Sequence, residues 1–226
     1  MKRLPKKYQE SLKLIDKTKK YTVSEACELV KKTAKSTKWD ETIDVSFKLN
    51  IDAKQADQQL RGTIVLPHGN GKTKKLLAVT DKVEEAKTAG ADFVGGKEML
   101  EKIEKENWFE FDVIVATPNM MPSFAKIGKV LGPRGLMPNP KSGTVAVDIA
   151  SAIKEIKNGK ITYRNDKDGN IAVSFGKASF DAQKLADNLN AIIDVIVKAR
   201  PSAVKGTYIL NCTISSTFGP SIRIAI

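Results

Sequence analysis

The chain has 226 residues, enough for one large domain or two modest ones, each with its own core. Its 38 Lys and Arg against 26 Asp and Glu leave a net charge of +12, which points to a polyanionic partner, and no apolar run is long enough to span a membrane. Two cysteines far apart, Cys27 and Cys212, exclude a disulfide framework and suit a reducing cytoplasm, where they act as small packing residues.

Met1 to Lys7 is basic but leads into Tyr8-Gln9-Glu10 rather than an apolar stretch, so no secretory leader is expected. A helix is predicted over 6–19, with Leu12, Ile15 and Leu14 as a sparse apolar side. A second starts at Thr22, where Thr22-Val23-Ser24-Glu25 fits a capping box and Ala26, Leu29, Val30, Thr33 and Ala34 recur on one face. The period then changes to two. Ile43, Val45, Phe47, Leu49 and Ile51 alternate with polar residues, as in a strand with one buried face. Trp39 shares their parity, so on pattern alone it is a core aromatic.

Further along, Leu76–Thr80 and Asp112–Thr117 are short apolar runs, each followed by a helical pattern, and Gly143–Val147 precedes a helix over 148–158. Alternating strands and helices predict a parallel sheet with helices on its faces. The tail returns to the first style. Segments 160–164 and 170–175 flank the polar Asn165–Gly169 and predict a hairpin; 181–199 is an amphipathic helix and 207–216 a strand. The expected architecture is therefore a two-domain α/β chain. An outer α+β domain, an antiparallel sheet with helices on one face, is formed by 1–67 and 159–226. An inserted Rossmann-like α/β/α domain takes 68–158. Charge follows that division: the outer segments carry +10 of the net charge and the middle only +2. Hinges are expected near 66–71 and 157–160, where Pro67, Gly69, Gly71 and Gly159 can absorb backbone rotation.

Catalytic chemistry finds no residues to carry it. Gly69-Asn70-Gly71-Lys72-Thr73 suggests a phosphate loop, but Leu66 stands where that motif needs glycine, and a strand rather than a helix follows. No G-x-G-x-x-G opens a helix in the middle block. His68 is the one histidine, which excludes multi-histidine metal sites, and Asp166-Lys167-Asp168-Gly169 has too few ligands for calcium and reads as a turn. No cofactor or metal is expected. A nucleotide-using α/β enzyme with a basic surface and a general RNA-binding chaperone are the alternative readings.

Residues 131–141, Leu-Gly-Pro-Arg-Gly-Leu-Met-Pro-Asn-Pro-Lys, hold three of the nine prolines, two glycines and two cations. Such a segment is neither helix nor central strand; it is a shaped loop carrying Arg134 and Lys141. Residue by residue it resembles the signature of the L-one family of large-subunit ribosomal proteins, and the likeness extends along essentially the whole chain. That resemblance implies a non-catalytic, cytoplasmic ribosomal protein. Its outer domain would bind large-subunit rRNA through Lys38 and Trp39 together with Thr217, Phe218 and Gly219. Two departures stand out: Trp39 where phenylalanine is common, and Phe218 where methionine is common. The resemblance adds Arg164 and Lys167 to the same site, with Arg3, Lys6 and Lys7 as supplementary phosphate contacts. It places the inserted domain, with Arg134 and Lys141, toward exit-site tRNA, implies hinge motion during tRNA release, and implies repression of the protein's own messenger RNA. Off the ribosome a monomer is expected.

Overall fold

The computed structural model describes residues 4–34, 36, 38–80 and 82–226. In chain order the elements are α1 (Lys6–Lys13), α2 (Val23–Thr33), β1 (Thr42–Leu49), β2 (Arg61–Val65), β3 (Leu76–Val79), α3 (Val83–Thr88), β4 (Phe93–Gly95), α4 (Lys97–Glu106), β5 (Val113–Ala116), α5 (Met121–Leu131), α6 (Ile149–Lys157), β6 (Lys160–Arg164), β7 (Asn170–Lys177), α7 (Ala182–Lys198), β8 (Ile209–Ser216) and β9 (Ile222–Arg223). They fall into two compact units, Met1–Gly71 with Ile161–Ile226, and Lys72–Lys160. No described helix is long and apolar enough to cross a membrane.

The first unit is built on a four-stranded sheet of order β7-β1-β8-β9. Its central strand β1 is antiparallel to both β7 and β8, and β9 is antiparallel to β8. The predicted alternation holds along β1: Ile43, Val45, Phe47 and Leu49 are all buried. They meet Val30 of α2 and Leu185, Leu189, Ile192 and Ile196 of α7 in one core. Burial of each such side chain contributes roughly 1.5–3 kcal/mol. The capping box forms as the sequence predicts, with the Thr22 hydroxyl accepting from the Glu25 N–H and the Glu25 carboxylate accepting from the Thr22 N–H. Both chain ends meet where the Tyr21 N–H donates to the Arg223 carbonyl at 3.0 Å and the Ala225 N–H donates to that of Tyr21 at 2.9 Å. Cys27 and Cys212 are buried, and burial pushes both thiols up to about 12, so they remain protonated packing groups.

Two expectations fail here. The first helix stops at Lys13 instead of reaching 19, because the Asp16 carboxylate accepts from both the backbone N–H and the hydroxyl of Thr18 and turns the chain. The predicted hairpin of 160–164 with 170–175 does not form. Strand β6 pairs with β2 in a separate two-stranded sheet, while β7 pairs with β1. The polar loop between them is a turn as read, closed by Asp166. Its carboxylate accepts from the N–H groups of Asp168 and Asn170 and from the Asn170 amide, and these bonds hold its pKa below the usual carboxylate value. A tight turn fixes where the chain reverses, but each strand's apolar residues choose its partner.

In the second unit β3, β4 and β5 form a parallel sheet of order β4-β3-β5. Every residue of β3 is buried, because helices cover both faces. Leu77, Val79, Ile114 and Ala116 pack with α4 and α5 on one side; Leu76, Ala78 and Val115 pack with α3 and α6 on the other. The stretch 143–147 is not a full strand and contributes one parallel bridge, Val145 to Ala116. Asp148 caps α6 by accepting from the Ser151 N–H and hydroxyl.

Candidate nucleic-acid interface

Strand β1 opens at Thr42, and the chain just before it is a bend rather than an extension of the strand. The period-two rule therefore stops at Thr42, which corrects the pattern reading of Trp39. It is 70% exposed, its backbone N–H donating to the Ser36 hydroxyl at 3.2 Å. Across the sheet β8 ends at Ser216, opposite Ile43, so Thr217, Phe218 and Gly219 lie at the same end. Phe218 is 62% exposed. The two large aromatics of this surface thus project from the end of a strand pair whose inner residues are fully buried.

What joins the two segments is Glu41, only 3% exposed. One carboxylate oxygen accepts from the Ser36 N–H at 2.8 Å, the other from the Phe218 N–H at 3.2 Å. A second clasp lies beside it. The Thr217 hydroxyl accepts from the Thr42 N–H at 3.1 Å and donates to the Thr42 carbonyl at 3.2 Å, while the Thr217 N–H donates to that same carbonyl. Asp40 is tied in turn to Ser179, accepting from its N–H and hydroxyl at 3.1 and 2.8 Å. Gly219 closes the turn with its N–H on the Ser216 carbonyl, and a side chain there would run into the Ser216 hydroxyl. Lys7, Lys38, Trp39, Glu41 and Phe218 line a cleft of about 270 Å³, with Ser11, Thr33 and Ser36 completing it.

No motif in the sequence marks Glu41, but its position in the strand pattern carries a signal. It has the parity of Ile43, Val45, Phe47 and Leu49, and a carboxylate on the buried side of a strand register must find donors.

The other predicted residues fall elsewhere. Arg164 and Lys167 are exposed and line a second cleft, of about 340 Å³, with Asn165, Asp166 and Gln59. They do not join the first group. The Gly169 carbonyl accepts from the Leu49 N–H, and Asn170 pairs with Lys48, so this loop lies at the far end of β1. Seven residue steps of about 3.3 Å put roughly 23 Å between the two ends. Lys6 and Lys7 are exposed on α1, whereas Arg3 lies outside the described residues.

Of the expected hinge residues, Gly69, Gly71 and Gly159 have positive φ, and Pro67 is exposed. The stretch around His68 is held to α7 by the buried Asn188, whose side chain accepts from the His68 N–H and donates to the Gly69 carbonyl. His68 itself meets Asp187 at 3.2 Å.

The loop after α5 is shaped as the proline and glycine content predicts. Gly135 sits at φ 71°, and the Leu136 N–H donates back to the Leu131 carbonyl. Thr144 is its internal anchor: the hydroxyl accepts from the Asn139 N–H at 2.9 Å and reaches the Ser142 hydroxyl and the Asn139 carbonyl. Arg134 is exposed with its guanidinium 3.7 Å from the centre of the Phe109 ring. Lys141 is exposed, its N–H donating to the Asn139 side chain.

Among the described residues no three histidine, cysteine or carboxylate groups come together to hold a metal ion. The surface instead combines exposed aromatics, lysines and a fixed backbone, the materials of RNA recognition. Residues 30–220 match the model of the ribosomal protein L1p/L10e family. The chain is also 56% identical, over all of both sequences, to the large ribosomal subunit protein uL1 of Mesoplasma florum. The chain belongs to the ribosomal protein L1p/L10e family.

Proposed function

We propose that this chain is a structural, non-enzymatic protein of the large subunit of the cytoplasmic ribosome, and that it binds large-subunit rRNA through the Thr42 end of its outer sheet. The observation that carries the reading is the exposure of Trp39 and Phe218, 70% and 62%, on segments fixed to each other through Glu41 and Thr217. Large aromatics left in water on a rigid frame have little use in a core and much in stacking on bases or riboses. Lys38 and Lys7 supply phosphate attraction at the same cleft, with Lys6 beside them on α1. Arg164 and Lys167 form a second contact patch farther along the strand pair, so the RNA footprint is elongated rather than a single spot.

On the same reading the inserted unit presents Arg134 and Lys141 to exit-site tRNA. Rotation about Pro67, Gly69, Gly71 and Gly159 accompanies release of that tRNA, and the outer surface also takes the protein's own messenger RNA to repress its translation. Shared use of one surface requires the rRNA to bind more tightly, at about 1.4 kcal/mol per tenfold preference.

The test is a salt titration of binding to a stalk rRNA fragment and to an unrelated structured RNA, with Thr217→Ala and Phe218→Ala beside the parent. The parent is expected to keep its preference for the stalk RNA at high salt and each variant to lose much of it. Equal affinities that weaken in parallel with salt would leave only the net charge at work and sink the proposal.

A further inference from the structure

We infer that the cleft beside Trp39 is a pocket for one unstacked nucleobase that presents N–H donors, guanine best of all; this rests on the rRNA reading above. The argument comes from which hydrogen-bonding groups are already used. Ser11 donates its hydroxyl proton to the Thr33 carbonyl at 3.3 Å, and Thr33 donates its own to the Val30 carbonyl at 2.9 Å. Both side chains are 2% exposed and line the cleft with lone pairs remaining and no proton to give. Glu41 is an acceptor only. Its two oxygens each take one backbone N–H, which leaves about half of their lone-pair sites. The interior of the cleft is therefore rich in acceptors.

A phosphate, which also only accepts, finds at most the Ser36 hydroxyl there and meets a carboxylate. It belongs at the rim with Lys7 and Lys38. A base edge carrying an amino group fits. Guanine offers the adjacent N1–H and N2–H pair that a carboxylate takes in a bidentate way, while uracil offers one N–H between two acceptors. Trp39 and Phe218 supply the apolar faces on which a splayed base stacks. At about 270 Å³ the cleft is smaller than the ~300 Å³ at which pockets start to bury drug-sized ligands, a scale that suits a base with its sugar and phosphate left outside.

Tryptophan fluorescence of the full-length protein reads this directly, with guanosine, inosine, uridine and inorganic phosphate as probes and Trp39→Phe to identify the responding ring. Guanosine is expected to quench Trp39 at concentrations about tenfold below those needed for inosine, which lacks only the N2 amine and stacks alike. Uridine is expected to be weaker still, and phosphate silent. Glu41→Gln replaces one acceptor by a donor and should erase the guanosine advantage. Thr33→Val removes a single acceptor and should shrink it should the Gln variant not fold, with circular dichroism reporting the fold of each. Equal response to guanosine and inosine, or a response to phosphate, would overturn the pocket. If that happens while stalk rRNA is still preferred over unrelated RNA, the rRNA reading stands and only the base pocket falls; if the parent shows no rRNA preference, the failure lies in the reading beneath it.

Discussion

Two exposed loops of this chain present side chains suited to RNA, and they are held by opposite means. Around Trp39 and Phe218 the hold is long-range. Glu41 joins residue 36 to residue 218, and Thr217 makes three hydrogen bonds with Thr42. Around Arg134 and Lys141 the side-chain hydrogen bonds are local, and the longer tie is the Thr144 carbonyl accepting from the Ala116 N–H of β5. Three prolines limit the backbone, Gly135 takes the positive φ of the turn, and Thr144 bonds a residue only five positions away. A surface assembled from distant segments exists only when the unit is folded. One assembled from neighbours depends little on the rest of its unit. The first should therefore fail cooperatively when its fastener is removed, and the second should loosen in place.

Removing Glu41 tests the long-range case and carries the largest expected effect. Glu41→Ala leaves the N–H groups of Ser36 and Phe218 without their acceptor, and hydrogen bonds to a charged group contribute about 1.5–3 kcal/mol each. Removal also relieves the desolvation of a buried carboxylate, so a net loss of about 3 kcal/mol is expected in urea unfolding. RNA affinity should fall with it under conditions where the variant is still folded. A variant as stable as the parent, with RNA binding intact, would mean that the two segments hold each other without the carboxylate.

Thr144→Val makes the matching cut in the local case. The loss of the Asn139 N–H bond and of the contacts to the Ser142 hydroxyl and the Asn139 carbonyl should cost about 1–2 kcal/mol. Hydrogen exchange should rise across 136–144 and remain unchanged in the outer sheet. Faster exchange throughout the unit would show that this loop is fastened as cooperatively as the other.

The same contrast explains what could be read from the chain alone. Local signals were legible: the Thr22–Glu25 capping box, the β1 alternation, the apolar face of α7 and the shaped loop from Leu131 to Lys141 all follow from residues within a turn or two of one another. Pairing was not. The Asn165–Gly169 turn was recognised, but the assignment of β6 to β2 and β7 to β1 depends on residues a hundred positions away. The site divides in the same manner. The family resemblance pointed to Trp39 and Phe218, whereas the periodic pattern placed Trp39 in the core because it carried the strand past the bend that precedes Thr42. Glu41 had the inward parity of its neighbours, yet its function depends on Phe218, and no spacing announces a partner across the sheet. The separation of Arg164 and Lys167 from Trp39 is a matter of register, fixed only once β7 lies beside β1.

Phe109→Leu gives the smallest and most selective cut. The Arg134 guanidinium lies 3.7 Å from the Phe109 ring centre, a cation–π contact that contributes about 0.5–1 kcal/mol at an exposed site. Phe109 also packs at the edge of the core formed by α4 and α5, where its ring lies 6.3 Å from that of Phe111. Leucine keeps most of that apolar contact and loses the ring face, so urea unfolding should shift by about 1 kcal/mol or less. The arginine side chain should gain motion, visible as a lower order parameter at its Nε–H by NMR, while the loop backbone held by Thr144 stays as it was. If Arg134 is as rigid in the variant as in the parent, then the backbone alone positions it and the aromatic ring is a bystander. That outcome would extend the local rule from the frame of the loop to the side chain it carries.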